Sequence, residues 1–233
     1  FAKAHLLVRG GDLEKALVSA DAALKQRPDW EEAALFKARI LLSQKEPQKA
    51  RAFYEAFLNN NHGANHVRLN YARFLVDQKE WQKALEEFKR VAGNAPDDAD
   101  TIYAVGLLSL QNNRLDEADK YLKRAIELRP QNDQARLYFG QVAEQRKQYG
   151  AAIDWYLQVK EGEYYFEAQA RLGVVMARRG DLAGARRHLD GIQAQNDSQR
   201  VQVALAHEQI LRDARQFSEA IEMLNAAILT VPG

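Results

Sequence analysis

The chain has 233 residues, 46% of them hydrophobic, so it is long enough to bury a substantial core. Thirty-three Lys and Arg residues face 32 Asp and Glu for a net charge of +1, and no basic stripe of the kind that tracks a nucleic-acid backbone stands out. No cysteine is present, which removes disulfides and thiolate metal sites from these residues, and no apolar run approaches the roughly 18 residues of a membrane-spanning helix.

From the first residues onward a short phrase recurs: GDLEKA at 11–16, KEPQKA at 45–50, KEWQKA at 79–84, NRLDEA at 113–118, KQYGAA at 147–152, GDLAGA at 180–185 and RQFSEA at 215–220. Its closing alanines are Ala16, Ala50, Ala84, Ala118, Ala152, Ala185 and Ala220, separated by 34, 34, 34, 34, 33 and 35 residues. A fixed period of this size marks a stacked-repeat architecture. The repeats run approximately over 1–30, 31–64, 65–98, 99–132, 133–165, 166–200 and 201–233, a single array.

Each repeat predicts two helices. In the first, a small residue stands twelve before the phrase alanine: Ala4, Ala38, Ala72, Gly106, Gly140 and Gly173, with Glu208 departing from the pattern in the last repeat. A helical glycine costs about 1 kcal/mol relative to alanine, so glycine at this position implies close backbone packing. The second helix is predicted to start at Leu13, Pro47, Trp81, Leu115, Tyr149, Leu182 and Phe217. Pro47 suits a first turn, where the missing N–H has no intrahelical partner. Four residues beyond each alanine stand Ala20, Tyr54, Phe88, Leu122, Tyr156, Leu189 and Leu224. Three further on come Ala23, Phe57, Val91, Ala125, Val159, Ile192 and Ala227, which completes one apolar helical face. Pro28, Pro96, Pro130 and Pro232 then stop the helix in four of the seven copies.

This set of residues resembles the tetratricopeptide repeat family over essentially the whole length: a small residue in the first helix, alanine early in the second, a large apolar residue after it, proline at the exit. The family's early aromatic in the first helix is replaced by Ala34, Arg68, Ile102, Arg136, Gln169 and Ala204. The resemblance implies an all-α, right-handed solenoid superhelix of about seven helix-turn-helix repeats, fourteen helices with the first truncated and no strands. Phe1 falls inside a first helix and Gly233 lies just past an exit proline, so the chain reads as an internal piece of a longer protein.

Motifs for chemistry are sparse. There is no phosphate-binding glycine loop, no GxGxxG and no GxSxG, so no catalytic residue, cofactor or metal site is expected. His207 and Glu208 open like a zinc-protease helix, but Leu211 stands where the second histidine belongs. His62 and His66, four apart, have no third ligand spaced to join them and read as solvated turn histidines. Tyr164, Tyr165 and Phe166 follow Gly162 at the shortened junction, either as a docking spot or as a plug for a tighter turn. Asn196, Asp197 and Ser198 form a glycosylation sequon.

With the family's curvature, the first helices line a concave groove. Its expected residues are Leu35, Arg39, Leu42, Leu69, Arg73, Val76, Asp77, Tyr103, Leu107, Leu110 and Leu137, with Glu144, Arg178 and Arg212 toward the other end. Such a groove suits an amphipathic or extended partner segment, although any one of its leucines could instead be inter-helix core. Chaperone-binding members of the family use a lysine and asparagine clamp. Here leucine or tyrosine takes the lysine position and arginine or histidine the first asparagine.

The wording of residues 147–189 is similar to Gram-negative outer-membrane repeat lipoproteins. Some of these are periplasmic adaptors that bring peptidoglycan hydrolases to a carboxyl-terminal processing protease. The function expected is therefore a scaffold or adaptor that binds a protein or peptide, not an enzyme, with no nucleic acid and no membrane span in this segment. Its place is the periplasmic face of the outer membrane under the narrower resemblance, and the cytoplasm otherwise. The alternative is the recruiting repeat segment of a larger enzyme or polysaccharide-secretion component.

Overall fold

Apolar residues recurring at helical spacing, broken every dozen or so positions by turn-forming residues, leave little for the chain to do but form short paired helices. The computed structural model describes residues 2–230, and among them are fourteen helices and no strand. They are α1 (Ala2–Arg9), α2 (Leu13–Gln26), α3 (Glu31–Ser43), α4 (Pro47–Asn60), α5 (Asn65–Asp77), α6 (Trp81–Asn94) and α7 (Ala99–Gln111). The remainder are α8 (Leu115–Leu128), α9 (Asp133–Gln145), α10 (Tyr149–Leu157), α11 (Tyr165–Arg178), α12 (Leu182–Asp190), α13 (Asp197–Asp213) and α14 (Phe217–Thr230). Every second helix begins at the residue the phrase predicts, with Pro47 in the first turn of α4. α2, α6 and α8 each end two residues before a proline; Pro232 lies outside the described residues.

The turns inside the repeats share one geometry. Gly11, Lys45, Lys79, Asn113, Lys147, Gly180 and Arg215 all have positive φ, from 56° to 108°. In each, the N–H of the following residue reaches back to the carbonyl five residues earlier, as Glu80 does to Leu75 at 2.9 Å and Gln148 to Ala143 at 2.9 Å. The left-handed residue's own N–H bonds the carbonyl three before it, so the last carbonyls of the first helix are satisfied as the chain reverses.

Contacts divide the chain into two compact units, residues 1–108 and 109–233, a division within α7 that the repeat period does not signal. In the first unit α2 packs between α1 and α3, α4 between α3 and α5, and α6 against α5, while α3 also touches α5. The second unit repeats the scheme: α10 lies between α9 and α11, α12 between α11 and α13, and α14 against α13, with α9 touching α11 and α11 touching α13. The phrase alanines sit at these crossings, 0% exposed in the first six repeats and 5% at Ala220. A side chain of one methyl lets the helices close up while Tyr54, Phe88, Leu122, Tyr156 and Leu189 fill the space beside it. Gly140 and Gly173 carry the same logic further. A Cβ on Gly140 would stand 2.5 Å from the Tyr156 ring, and one on Gly173 2.5 Å from Leu189.

Two expectations about the second helices need correcting. α10 and α12 end at Leu157 and Asp190, so Val159 and Ile192 fall beyond the helices rather than on them. In each case the last turn tightens, the Val159 N–H bonding the Tyr156 carbonyl at 3.2 Å and the Ile192 N–H the Leu189 carbonyl at 3.1 Å. Val159 nevertheless stays fully buried in the core of the second unit.

Candidate docking surface

The first helices of the N-terminal unit bury one face against the second helices and leave the other open. On α3, Ala33, Phe36, Ile40 and Leu41 are buried, Leu35 is half-buried, and Arg39 and Leu42 are exposed, Leu42 by 37%. The same register recurs on α5, where Leu69 and Val76 are half-buried and Arg73 and Asp77 exposed. Tyr103 and Leu107 on α7 are half-buried in turn. Because α3 and α5 touch and repeat in register, Leu35 and Leu69 form one row, Arg39 and Arg73 a second, and Leu42 and Val76 a third.

Two expected residues leave this surface. Leu137 is 0% exposed and belongs to the core cluster with Ala143, Tyr156 and Leu172, and Leu110 is only 7% exposed. Both are packing residues with no face to offer a partner. The charges expected toward the other end are engaged with one another. Glu144 accepts hydrogen bonds from the Tyr156 hydroxyl at 2.7 Å and from Arg178 Nη1 at 2.7 Å, and Arg178 also reaches Asp213 at 3.2 Å. Glu208, the departure in the last repeat, pairs with Arg212 at 3.3 Å. Burial, then the negative charge of Glu144 and the hydrogen bond to it, holds the Tyr156 hydroxyl protonated far above the usual phenol range.

Period alone did not reveal a depression of about 360 Å³ between α1 and α3. Val8, Phe36, Ile40 and Ser43 line it, with Arg9 and Arg39 at its edge. The Arg39 guanidinium lies 5.8 Å from the centroid of the Phe36 ring, a cation–π contact that holds the charge over the apolar floor. Between α12, α13 and α14 lies a cleft of about 700 Å³ lined by Arg186, Asp190, His207, Leu211 and Met223 among others. There His207 Nε2 lies 3.3 Å from Asp190, and burial lowers the imidazole's affinity for a proton despite that carboxylate.

The remaining candidates are structural. Phe166 is buried and Tyr164 packs on the core, which leaves Tyr165 alone exposed. The Asn196 side chain of the sequon accepts the Gln199 N–H at 3.0 Å and so caps α13. His62 and His66 are exposed, and among the described residues no three His, Asp or Glu side chains gather as metal ligands. Arg68 and Arg136, which replace the family's early aromatic, anchor the exit turns instead. Arg68 pairs with Glu87 at 2.6 Å and bonds the His62 carbonyl at 3.2 Å, while Arg136 bonds the Pro130 carbonyl and Asp133. No described helix is long and apolar enough to cross a membrane.

Paired antiparallel helices with a buried alanine at every crossing and an open first-helix face define a helical-repeat binding scaffold. The model of the tetratricopeptide repeat matches residues 1–64 and 103–166, more than half of the chain, and the chain belongs to that family. Its fold is shared with YrrB, solved as "a TPR protein with an unusual peptide-binding site". The two are 20% identical with a TM-score of 0.67, over 84% of this chain and 97% of that one. A tetratricopeptide repeat protein from Parabacteroides merdae matches with 17% identity and a TM-score of 0.63 over 97% of this chain and 90% of its own. Pseudomonas aeruginosa pilF gives 19% identity and 0.59 over 91% and 95%. No curated protein matches the chain. Proteins built from these repeats are in general binding scaffolds for proteins and peptides rather than catalysts, and the fold here is of that kind.

Proposed function

We propose that the chain is a scaffold whose first-helix face, carried by α3, α5 and the start of α7, receives a segment of a partner protein. The observation that carries this is the register of Leu42, Arg39 and Arg73. Elsewhere in α3 and α5 the large apolar residues are buried or half-buried, yet Leu42 stays exposed in line with Val76. Apolar anchors flanked by charge are the usual composition of a surface that holds a peptide. Leu42→Glu combined with Val76→Glu should lower partner capture at least tenfold, with circular dichroism confirming that the variant is folded. Lys49→Glu, on exposed α4 surface, should leave capture unchanged. The reading fails if the Lys49 change abolishes capture and the first-helix changes do not.

A narrower reading, supported by the wording of residues 147–189, makes the chain a periplasmic adaptor that brings peptidoglycan hydrolases to a carboxyl-terminal processing protease. Purified protease should degrade a hydrolase faster in its presence. An unchanged degradation rate across a titration of the scaffold removes this narrower role and leaves the docking surface in place.

A further inference from the structure

We infer that the partner segment is acidic: it carries carboxylate side chains set between apolar anchors and binds across α1, α3 and α5. The inference rests on the docking face proposed above and adds the chemistry of its occupant. Arginines in this chain ordinarily find carboxylates, as Arg51 does with Glu80, Arg68 with Glu87, Arg146 with Asp116 and Asp119, and Arg178 with Glu144. Arg9, Arg39 and Arg73 are exposed on the first-helix side, and among the described residues none of them has a carboxylate partner. A guanidinium without a carboxylate in a row of its own kind attracts anions, and on a partly apolar surface it does so more strongly than in open water.

The surroundings say what kind of anion fits. Arg9 and Arg39 edge a depression floored by Val8, Phe36 and Ile40, so the group that meets them comes with an apolar side chain to fill that floor. Arg39 and Arg73 occupy the same register on adjacent helices, which places them roughly 8–10 Å apart, the usual spacing of packed helix axes. Cations spread across successive helices suit carboxylates spaced along a segment, whereas one terminal carboxylate would need them gathered at a point. The carboxylates on this side lie at the margins. Asp77 is one turn beyond Arg73, and among the described residues the two form no ion pair, while Glu32 is seven residues before Arg39, about 10 Å along the helix. The acidic part of the partner therefore lies over α1 and α3, and the end that passes Asp77 is neutral or basic.

The test uses three helical peptides of 15 residues with identical leucines: one with glutamates at i and i+7, one with glutamines there and one with lysines, titrated against the full chain by fluorescence anisotropy. The glutamate peptide should bind at least tenfold tighter than the glutamine peptide, and the lysine peptide weakest. The advantage should shrink as salt is raised, because part of the contact stays accessible to ions. Arg39→Gln with Arg73→Gln should erase the glutamate advantage and leave glutamine binding unchanged, whereas Leu42→Gln should weaken both. Equal binding of the glutamate and glutamine peptides, with sensitivity to Leu42→Gln, overturns the acidic partner but keeps the docking face. Glutamate binding that ignores all three substitutions, or no measurable binding of any peptide, overturns the inference. In the first of those two cases a photo-cross-link mapping to α2, α4 or α6 overturns the docking face as well.

Discussion

At the scale of single residues, close approach is set by what is missing from a side chain. Gly140 lies under the Tyr156 ring, and that ring is tethered by the hydroxyl's hydrogen bond to Glu144, one turn along the same helix, so it has little room to swing. Gly140→Ala should therefore destabilise the chain by about 1–3 kcal/mol, as overpacking of a filled core does. Gly150→Ala is the control. It adds the same methyl to an exposed helical position with nothing within 4 Å, and should be neutral or gain up to about 1 kcal/mol. Urea denaturation of both variants checks the pair, and equal losses would show that the glycine is not there for the ring. The close packing at this position was legible in the sequence, because three glycines at one repeat register have no other cheap explanation. The turn conformation was less so. Four of the seven left-handed turn residues are Lys or Arg, whose side chains do not announce positive φ, and only Gly11, Gly180 and, more weakly, Asn113 could have been read.

At the scale of helices, the sequence placed the start of every second helix correctly because a polar turn followed by a large apolar residue and alanine is a local signal. What it could not place is any feature decided by a neighbour. Leu110 and Leu137 carry the register of groove residues, yet packing from adjacent helices buries them. The early ends of α10 and α12 likewise have no proline to mark them. Cross-repeat ion pairs belong to this class too. Arg51 of α4 grips the Glu80 carboxylate just before α6 with both terminal guanidinium nitrogens, Lys83 adds a third contact at 2.8 Å, and the Arg51 hydrogen bonds followed by that of Lys83 hold the carboxyl down at about 2. A carboxyl depressed in the folded state stabilises fully above its unfolded value, near 4.5, and the contribution is lost as pH falls toward 2. Glu80→Gln should accordingly lower the denaturation midpoint at neutral pH, with the gap to the parent chain closing between about pH 4.5 and pH 2. A gap constant over that range would mean the pair does not link α4 to α6 in solution.

At the scale of the whole chain, stability within each unit is a sum of neighbour contacts, since inside a unit no described helix touches one more than two along in sequence. The consequence is a gradient. Among the described residues α1 packs chiefly on α2, sharing only the edge of its core cluster with Phe36 and Ile40 of α3, and α14 packs chiefly on α13, with an ion pair from Glu219 to Arg186 of α12; Leu6 is exposed on the first and Phe217 and Ile221 on the last, whereas α11 is gripped by α9, α10, α12 and α13. Opening α1 or α14 breaks one large interface; opening α11 breaks four. Hydrogen exchange under native conditions should therefore find the amides of α1 and α14 exchanging through local opening at a small fraction of the free energy that protects α11. Added denaturant should leave the exchange of α1 and α14 nearly unchanged while speeding that of α11, because local fraying exposes little surface and release of α11 exposes much. The docking face inherits this gradient. Arg9 and the floor residue Val8 sit on α1, the weakly held helix, while Arg39, Leu42 and Arg73 sit on α3 and α5, which pack on both sides. An acidic segment seated across α1 and α3 should slow exchange in α1 more than in α5, and an increase confined to α5 would place the segment elsewhere on the face.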